Sequence, residues 1–236
     1  MKIQPHEKIN FTASGAIKGA RQSLPLVFGV FSNGAVFGML ARQAGLSLGE
    51  ASLMSGLVYA GASQFMALGL WIAPLPVITI VLTTLVVNLR HILMGAALRP
   101  WFSGLSPLKS YGAVFFMGDE SWAMAMREFA AGGRNGAFML GSGVAQFIAW
   151  LSSTVMGYAL GAVIEDPARW GLDFIFIATF TALLVGMWKS KSDLLSWGVA
   201  ATVALAAAHW LPGKWYILLG GIAGSLAGAF GDNHAD

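Results

Sequence analysis

Helix-length apolar stretches recur along this chain from Leu24 to Phe230, with only short polar connections between them. A helix needs ~20 residues to cross a bilayer, and these stretches cluster around that length. The charge content agrees. Of 236 residues only 11% are charged and 56% are hydrophobic, whereas soluble domains carry about 25% charged residues. Such a chain cannot cover its surface with charge, so lipid must solvate it. The expected class is all-α, a polytopic integral membrane protein.

A helix-length window gives eight candidate spans, at 24–41, 51–73, 74–98, 111–127, 136–163, 170–188, 194–210 and 215–230. Seven is the alternative if the last two pair around Leu211, Pro212 and Gly213. Pro74 and Pro76 mark a tight turn between spans two and three, because proline cannot continue a helix. The whole reads as a single transmembrane domain over 1–236, with a cytoplasmic segment at 1–23, a helical bundle at 24–230 and a short tail at 231–236. With the N-terminus inside, the inner side collects Lys2, Lys8, Lys18, Arg21, Arg127, Arg134, Lys189 and Lys191. The outer side holds Arg42, Arg99, Lys109, Arg169 and Lys214, and this bias predicts both termini in the cytoplasm. Ile9, Ala13, Ile17, Ala20 and Leu24 recur near helical spacing, which fits either a helix lying on the inner surface or a solvated tail.

Several functions are excluded by what the chain lacks. It has no cysteine, hence no disulfide framework and no thiolate chemistry. No G-x-x-x-x-G-K-[ST] loop occurs, so a pump built on this chain would draw on a gradient or on another polypeptide. Neither H-E-x-x-H nor G-x-S-x-G is present, and no cofactor or metal is expected.

The informative residues are those that interrupt the apolar spans, since an intramembrane polar group is costly unless paired or wet. In span three a helix places Thr84, Asn88, His91 and Gly95 on one stripe, with Arg90 nearly opposite. Arg90 then either pairs on another face or snorkels to the headgroups. Span four carries Asp119 and Glu120 near its middle, where one acidic residue costs ~2.5–3.5 kcal/mol. A site joining them to Arg90 and His91 suits proton-linked chemistry; a static ion pair or a loop placement are the plain alternatives. Span two holds Ser52, Ser55, Ser63 and Gln64 among small residues, and the Gln64 amide can bind backbone at a break or a polar ligand. Gly143-Val144-Ala145-Gln146-Phe147 in span five echoes Gly61-Ala62-Ser63-Gln64-Phe65, a pattern that an inverted repeat would produce. Ser32-Asn33-Gly34 is a candidate interruption of span one, and Gly220, Gly224 and Gly228 form a small-residue face for internal packing or a partner.

At these motifs the chain resembles the AzlC-type large subunit of the branched-chain amino acid exporter family. The resemblance rests on Ser55–Phe65 with its Ala-Gly-Ala-Ser-Gln-Phe core, on Asn88-Leu89-Arg90-His91, on Gly118-Asp119-Glu120 and on Gly171-Leu172-Asp173-Phe174. It implies a secondary exporter of branched-chain amino acids in a bacterial inner membrane, with methionine and toxic analogues as further substrates. It also implies a small multi-span AzlD-type partner.

The residues themselves suggest how such a site would work. An amino acid offers a carboxylate, an ammonium and an apolar side chain, so its site needs donors, acceptors and an apolar wall. Gln64, Asn88 and Arg90 are the candidates for substrate binding, and Asp119, Glu120 and His91 for proton coupling. The competing readings are a non-transporting assembly or regulatory subunit and a channel for small solutes.

Overall fold

A computed structural model of the chain describes residues 9–163, 174, 181, 185, 188, 193–211 and 215–231. The regular elements among them are helices: α1 (Ala13–Gln43), α2 (Leu48–Leu53) running into a π-turn (Met54–Val58), α3 (Gly61–Gly69), α4 (Val77–Phe102), α5 (Pro107–Phe115), α6 (Asp119–Ala130), α7 (Ala137–Leu160), α8 (Asp193–Trp210) and α9 (Trp215–Gly231). The all-α class read from the sequence agrees with this. Among the described residues, α1, α4 and α7 are the helices long and apolar enough to cross a bilayer. The chain divides into two compact units, one drawn from 1–68 and 88–165, the other from 69–87 and 166–236. Span six, at 170–188, with the motif beginning at Gly171, lies almost wholly outside the described residues.

The first unit is organised by a seam between α1 and α7. Glycine makes the approach possible. A Cβ at Gly19 would lie 2.0 Å from the Phe138 carbonyl oxygen, one at Gly38 2.1 Å from that of Thr154, one at Gly141 1.9 Å from that of Ala16, and one at Gly157 1.9 Å from that of Ala35. Each glycine therefore faces the other helix's backbone, as small residues do in membrane helix pairs. Contacts at Ala16 and Gly19 fall near the start of α7 and those at Ala35 and Gly38 near its end, so the two helices run parallel. At their N-terminal end the Asn10 amide donates to the Arg134 carbonyl, the Gly136 amide donates to the Asn10 carbonyl, and Asn135 bonds both the amide and the hydroxyl of Thr12.

Two of the expected spans are not straight crossings. The second reverses on itself: the Gln64 amide nitrogen reaches the Ser55 hydroxyl at 3.4 Å, although nine further residues of straight helix would separate them by ~14 Å. Its descending limb meets α7 at Thr154 (Ser55 hydroxyl, 2.8 Å) and its tip meets Gly143 (Tyr59 hydroxyl, 3.5 Å). The returning limb packs Phe65 on Phe37 and Trp150. We call α2–α3 the first hairpin; it enters from the C-terminal end of α7.

Span four also turns back, entering from the other end. Leu105, just before α5, lies against Gly136, and Lys109 sits 5.6 Å from the Phe11 ring. The turn at Phe116–Gly118 reaches Gly143, whose missing Cβ would lie 2.1 Å from the Phe116 carbonyl oxygen. Then α6 descends: the Trp122 indole donates to the Met94 carbonyl, Phe129 stacks on Trp101 at 5.1 Å, and Glu128 pairs with Lys18. This is the second hairpin. Its core is apolar, with Met94, Leu98, Phe102, Ala113, Met117 and Phe129 buried together.

Three further expectations change. The segment Ile9–Leu24 is not a separate surface helix: α1 begins at Ala13 and continues unbroken through Pro25 and through Ser32-Asn33-Gly34 to Gln43. Gly34 serves the α1–α7 seam, its missing Cβ 2.1 Å from the Ser153 hydroxyl. Arg99 and Lys109, expected outside, belong to the α4–α5 corner at the end that also holds Lys18, Arg127 and Arg134. Arg42 lies at the opposite end, 5.0 Å from the Tyr158 ring. The second unit holds the antiparallel pair α8–α9, where Gly220, Gly224 and Gly228 receive Ala204, Ala200 and Ser196, so that small-residue face is filled internally.

Candidate functional site

The tip of the first hairpin is built on a backbone exception. Tyr59 has φ 41, the left-handed region, directly after the π-turn. A bulky side chain there costs of order 1–3 kcal/mol and persists where its surroundings fix it. Here Gln64 does so. Its carbonyl oxygen accepts from the Ala60 amide at 3.2 Å and its amide nitrogen donates to Ser55, itself 2.8 Å from Thr154 on α7. Ser63 donates to the Ala60 carbonyl and accepts from the Asn88 amide at 3.2 Å. Gln64 is 0% exposed and both ends of its amide are occupied by protein.

The tip of the second hairpin has a similar construction. Ser121 accepts from the Gly118 amide and donates to the Gly118 carbonyl, as Ser63 donates to the carbonyl three residues before it. Asp119 and Glu120 therefore occupy the first turn of a helix rather than the middle of one, where negative charge is favoured by the helix dipole. Asp119 pairs with Arg90 at 2.8 Å, the partner that Arg90 needs. Both are partly open, at 46% and 32% side-chain exposure. Glu120 lies within electrostatic reach of Asp119, Arg90 and Tyr59. The His91 ring stays on its own helix, with Nδ1 3.3 Å from the Asn88 carbonyl.

The tips meet beside α7. A Cβ added at Gly118 would find Glu120 Oε2 at 3.7 Å, the Tyr59 hydroxyl at 3.8 Å and Gln146 Oε1 at 4.0 Å. Tyr59 and Phe116 both pack on Phe147, with ring centroids 5.0 and 5.1 Å apart, and Phe115 extends the cluster. Three polar atoms in this region are buried without a hydrogen-bond partner among the described residues: Asn88 Oδ1, Arg90 Nε and Gln146 Nε2. Unpaired buried polar atoms are uncommon in native proteins and call for a ligand or another explanation. Of the residues expected at a site, Arg90, Asp119 and Glu120 come together, Asn88 and Gln64 brace the first tip, and His91 has no contact with the acids among the described bonds.

A family model described as AzlC protein matches residues 25–164, which contain both hairpins and α7. The chain belongs to the AzlC family. Its relatives include the branched-chain amino acid transport protein AzlC of Bacillus subtilis, 23% identical over 83% of this chain and 77% of the relative. The inner membrane protein YgaZ of Escherichia coli is 28% identical over 75% of each chain, and a Haemophilus influenzae membrane protein is 26% identical over 84% of this chain and 80% of its own. No solved structure matches the chain. As a member of the AzlC family it is a membrane transport protein.

Sequence reasoning missed Tyr59 and Gln146 as parts of this cluster. The signal for Gln146 was present in the Gly-Val-Ala-Gln-Phe echo of the first hairpin. Yet Gly61 opens a helix after a break, whereas Gly143 sits inside unbroken α7, so the two segments differ in local structure. The descending limb runs antiparallel to α7, since Ser55 contacts Thr154 while Tyr59 contacts the earlier Gly143, but Gly61–Phe65 lies in the returning limb.

Proposed function

We propose that this chain is the large subunit of a secondary exporter of branched-chain amino acids, working in the bacterial inner membrane with a small multi-span AzlD-type subunit. The observation that carries the reading is the pair of helical hairpins. They enter from opposite ends of the α1–α7 pair, and their tips meet beside the Arg90–Asp119 ion pair. A site between two opposed re-entrant elements can be reached from either side by moving one of them, which is what alternating access requires. The branched-chain amino acid transport named for the Bacillus subtilis relative supplies the substrate class.

In this reading Asn88 and Arg90 face the substrate, with Gln64 acting through the tip that it holds. Asp119, Glu120 and His91 carry the coupling proton, whose titration differs between inward-facing and outward-facing states. The cytoplasm lies on the side of Lys18, Arg99, Lys109 and Arg127, because basic residues accumulate there. An open recess of about 490 Å³ on that side, lined by Gln22, Leu26, Met124, Arg127, Glu128 and Ala131, is the inner approach.

The test is efflux of preloaded radiolabelled leucine, valine and methionine from cells carrying this chain alone or with a small multi-span AzlD-type subunit, with and without an uncoupler. Uncoupler-sensitive efflux that needs both chains is the expected result. No efflux from cells in which both chains are verified in the membrane would overturn the reading in favour of a non-transporting subunit, and unsaturable uncoupler-independent flux would indicate a channel.

A further inference from the structure

We infer that the pocket beside Gly118 is the recognition site for the α-amino acid group itself, with Gln146 as the residue that reads it. This rests on the export reading above for the identity of the substrate, and on the geometry for the site. Gln146 is 1% exposed, on the middle of α7, and its amide points at the place where the two hairpin tips meet. Its Oε1 lies 4.0 Å from the position that a Gly118 Cβ would take, while its Nε2 has no partner among the described residues.

The donor set selects the ligand. Glu120 Oε2 and the Tyr59 hydroxyl approach the same point to 3.7 and 3.8 Å, so three oxygens converge on one point beside Gly118. A simple anion is disfavoured there because the converging atoms include the acceptor-only oxygen of a carboxylate. A simple cation would satisfy the oxygens but leave Gln146 Nε2 buried and unpaired, which is costly. A zwitterion uses both. Its ammonium lies among Glu120, Tyr59 and Gln146 Oε1, and its carboxylate accepts from Gln146 Nε2 and from the unpaired Arg90 Nε. The primary amide presents its oxygen and nitrogen about as far apart as the ammonium and carboxylate of an α-amino acid require. The rings of Tyr59, Phe147, Phe116 and Phe115 form the adjoining wall. That wall suits a branched aliphatic or thioether side chain and offers no partner for a charged one.

The full chain in lipid nanodiscs tests this by calorimetric titration with L-leucine, with 3-methylbutylamine, which lacks the carboxylate, and with 4-methylpentanoate, which lacks the ammonium. Leucine binds to the wild type at least about tenfold more tightly than either analogue, as expected for a charged hydrogen-bond set lost at one end. Gly118→Ala places its methyl at ordinary contact distance from all three oxygens, so the protein keeps its melting temperature while leucine affinity falls about tenfold or more. Gln146→Glu keeps an acceptor but replaces the donor with negative charge; leucine binding is lost and the amine is retained. Leucine affinity unchanged in both variants, or absent from the wild type, overturns the site. If leucine binds as described but is not exported from cells, the site stands and the export reading falls. If leucine is exported and both variants bind it as the wild type does, export stands and the site falls.

Discussion

Replacing Gly38 by alanine probes the seam on which both hairpins depend. The added Cβ would sit 2.1 Å from the Thr154 carbonyl oxygen, 2.7 Å from the Tyr158 amide nitrogen and 2.9 Å from the Thr154 carbonyl carbon. A carbon approaches an oxygen to about 3.3 Å at closest, so α1 and α7 must separate by about 1.2 Å. The obstructing atoms are backbone and cannot swing aside. A gap of 0.5–1 Å forfeits roughly a quarter to a half of a dispersion contact, which loosens the Phe37–Trp150 stack beside it, now 5.8 Å between centroids. Overpacking of this kind costs about 1–3 kcal/mol, and a two-helix backbone clash belongs at the upper end. Gly29→Ala is the matched control, since it lies on the same helix with nothing within 4 Å of the added methyl. It gains up to about 1 kcal/mol of helix propensity. At roughly 2–4 °C per kcal/mol for a chain of this size, Gly38→Ala should melt about 6–12 °C below the wild type and Gly29→Ala at or slightly above it. The assay is thermal aggregation of detergent-solubilised protein followed by size-exclusion chromatography. Equal melting temperatures for the two variants would refute the close-packed seam.

Three other perturbations address the remaining parts. Gln64→Leu leaves the Ala60 amide without its acceptor inside the protein, so stability should fall by about 1–3 kcal/mol and export with it, read from the same melting assay and from leucine efflux. Arg90→Gln or Asp119→Asn each abolishes efflux while costing no more than about 1 kcal/mol of stability, because the pair is a third to a half exposed; the exchanged pair Arg90→Asp with Asp119→Arg recovers part of the activity. Full activity in either single variant contradicts the role given to the pair. Gly224→Leu forces its side chain onto Ala200, whose Cβ already lies 2.7 Å from where a Gly224 Cβ would be, and should disrupt α8–α9 pairing, measured as increased proteolysis between the two helices.

The composition made the membrane class legible, and helix-length hydropathy located α1, α4, α7, α8 and α9 to within a few residues, α1 apart. It could not show that 51–73 and 111–127 fold back. Each has enough apolar residues to cross, and hydropathy measures length and polarity but not direction. The local chemistry held the missing signal. Gly118-Asp119-Glu120 is a helix start, with glycine before two acids in a first turn, and reading it as the centre of a span set aside that capping pattern. Likewise Tyr59-Ala60-Gly61 places a small, permissive pair at a break, but the π-turn and the positive φ at Tyr59 depend on Gln64 and Ser55 closing the hairpin, a tertiary contact. The Arg90–Asp119 pair was legible because few charges exist inside the spans. Gln146 was marked only by its echo of Gln64, since an amide among small apolar residues looks like packing until the partners around Gly118 are known.

That α5–α6 is a hairpin and not a crossing can be measured directly, because the chain has no native cysteine. Single cysteines at Ser106 and Ala131, the two exposed ends of the hairpin, and at Gln43 at the far end of α1 would be labelled with a membrane-impermeant maleimide in right-side-out and inside-out vesicles. Ser106→Cys and Ala131→Cys should label from the same side and Gln43→Cys from the other. Labelling of Ser106→Cys and Ala131→Cys from opposite sides would contradict it, and with it the meeting of the two tips at Gly118.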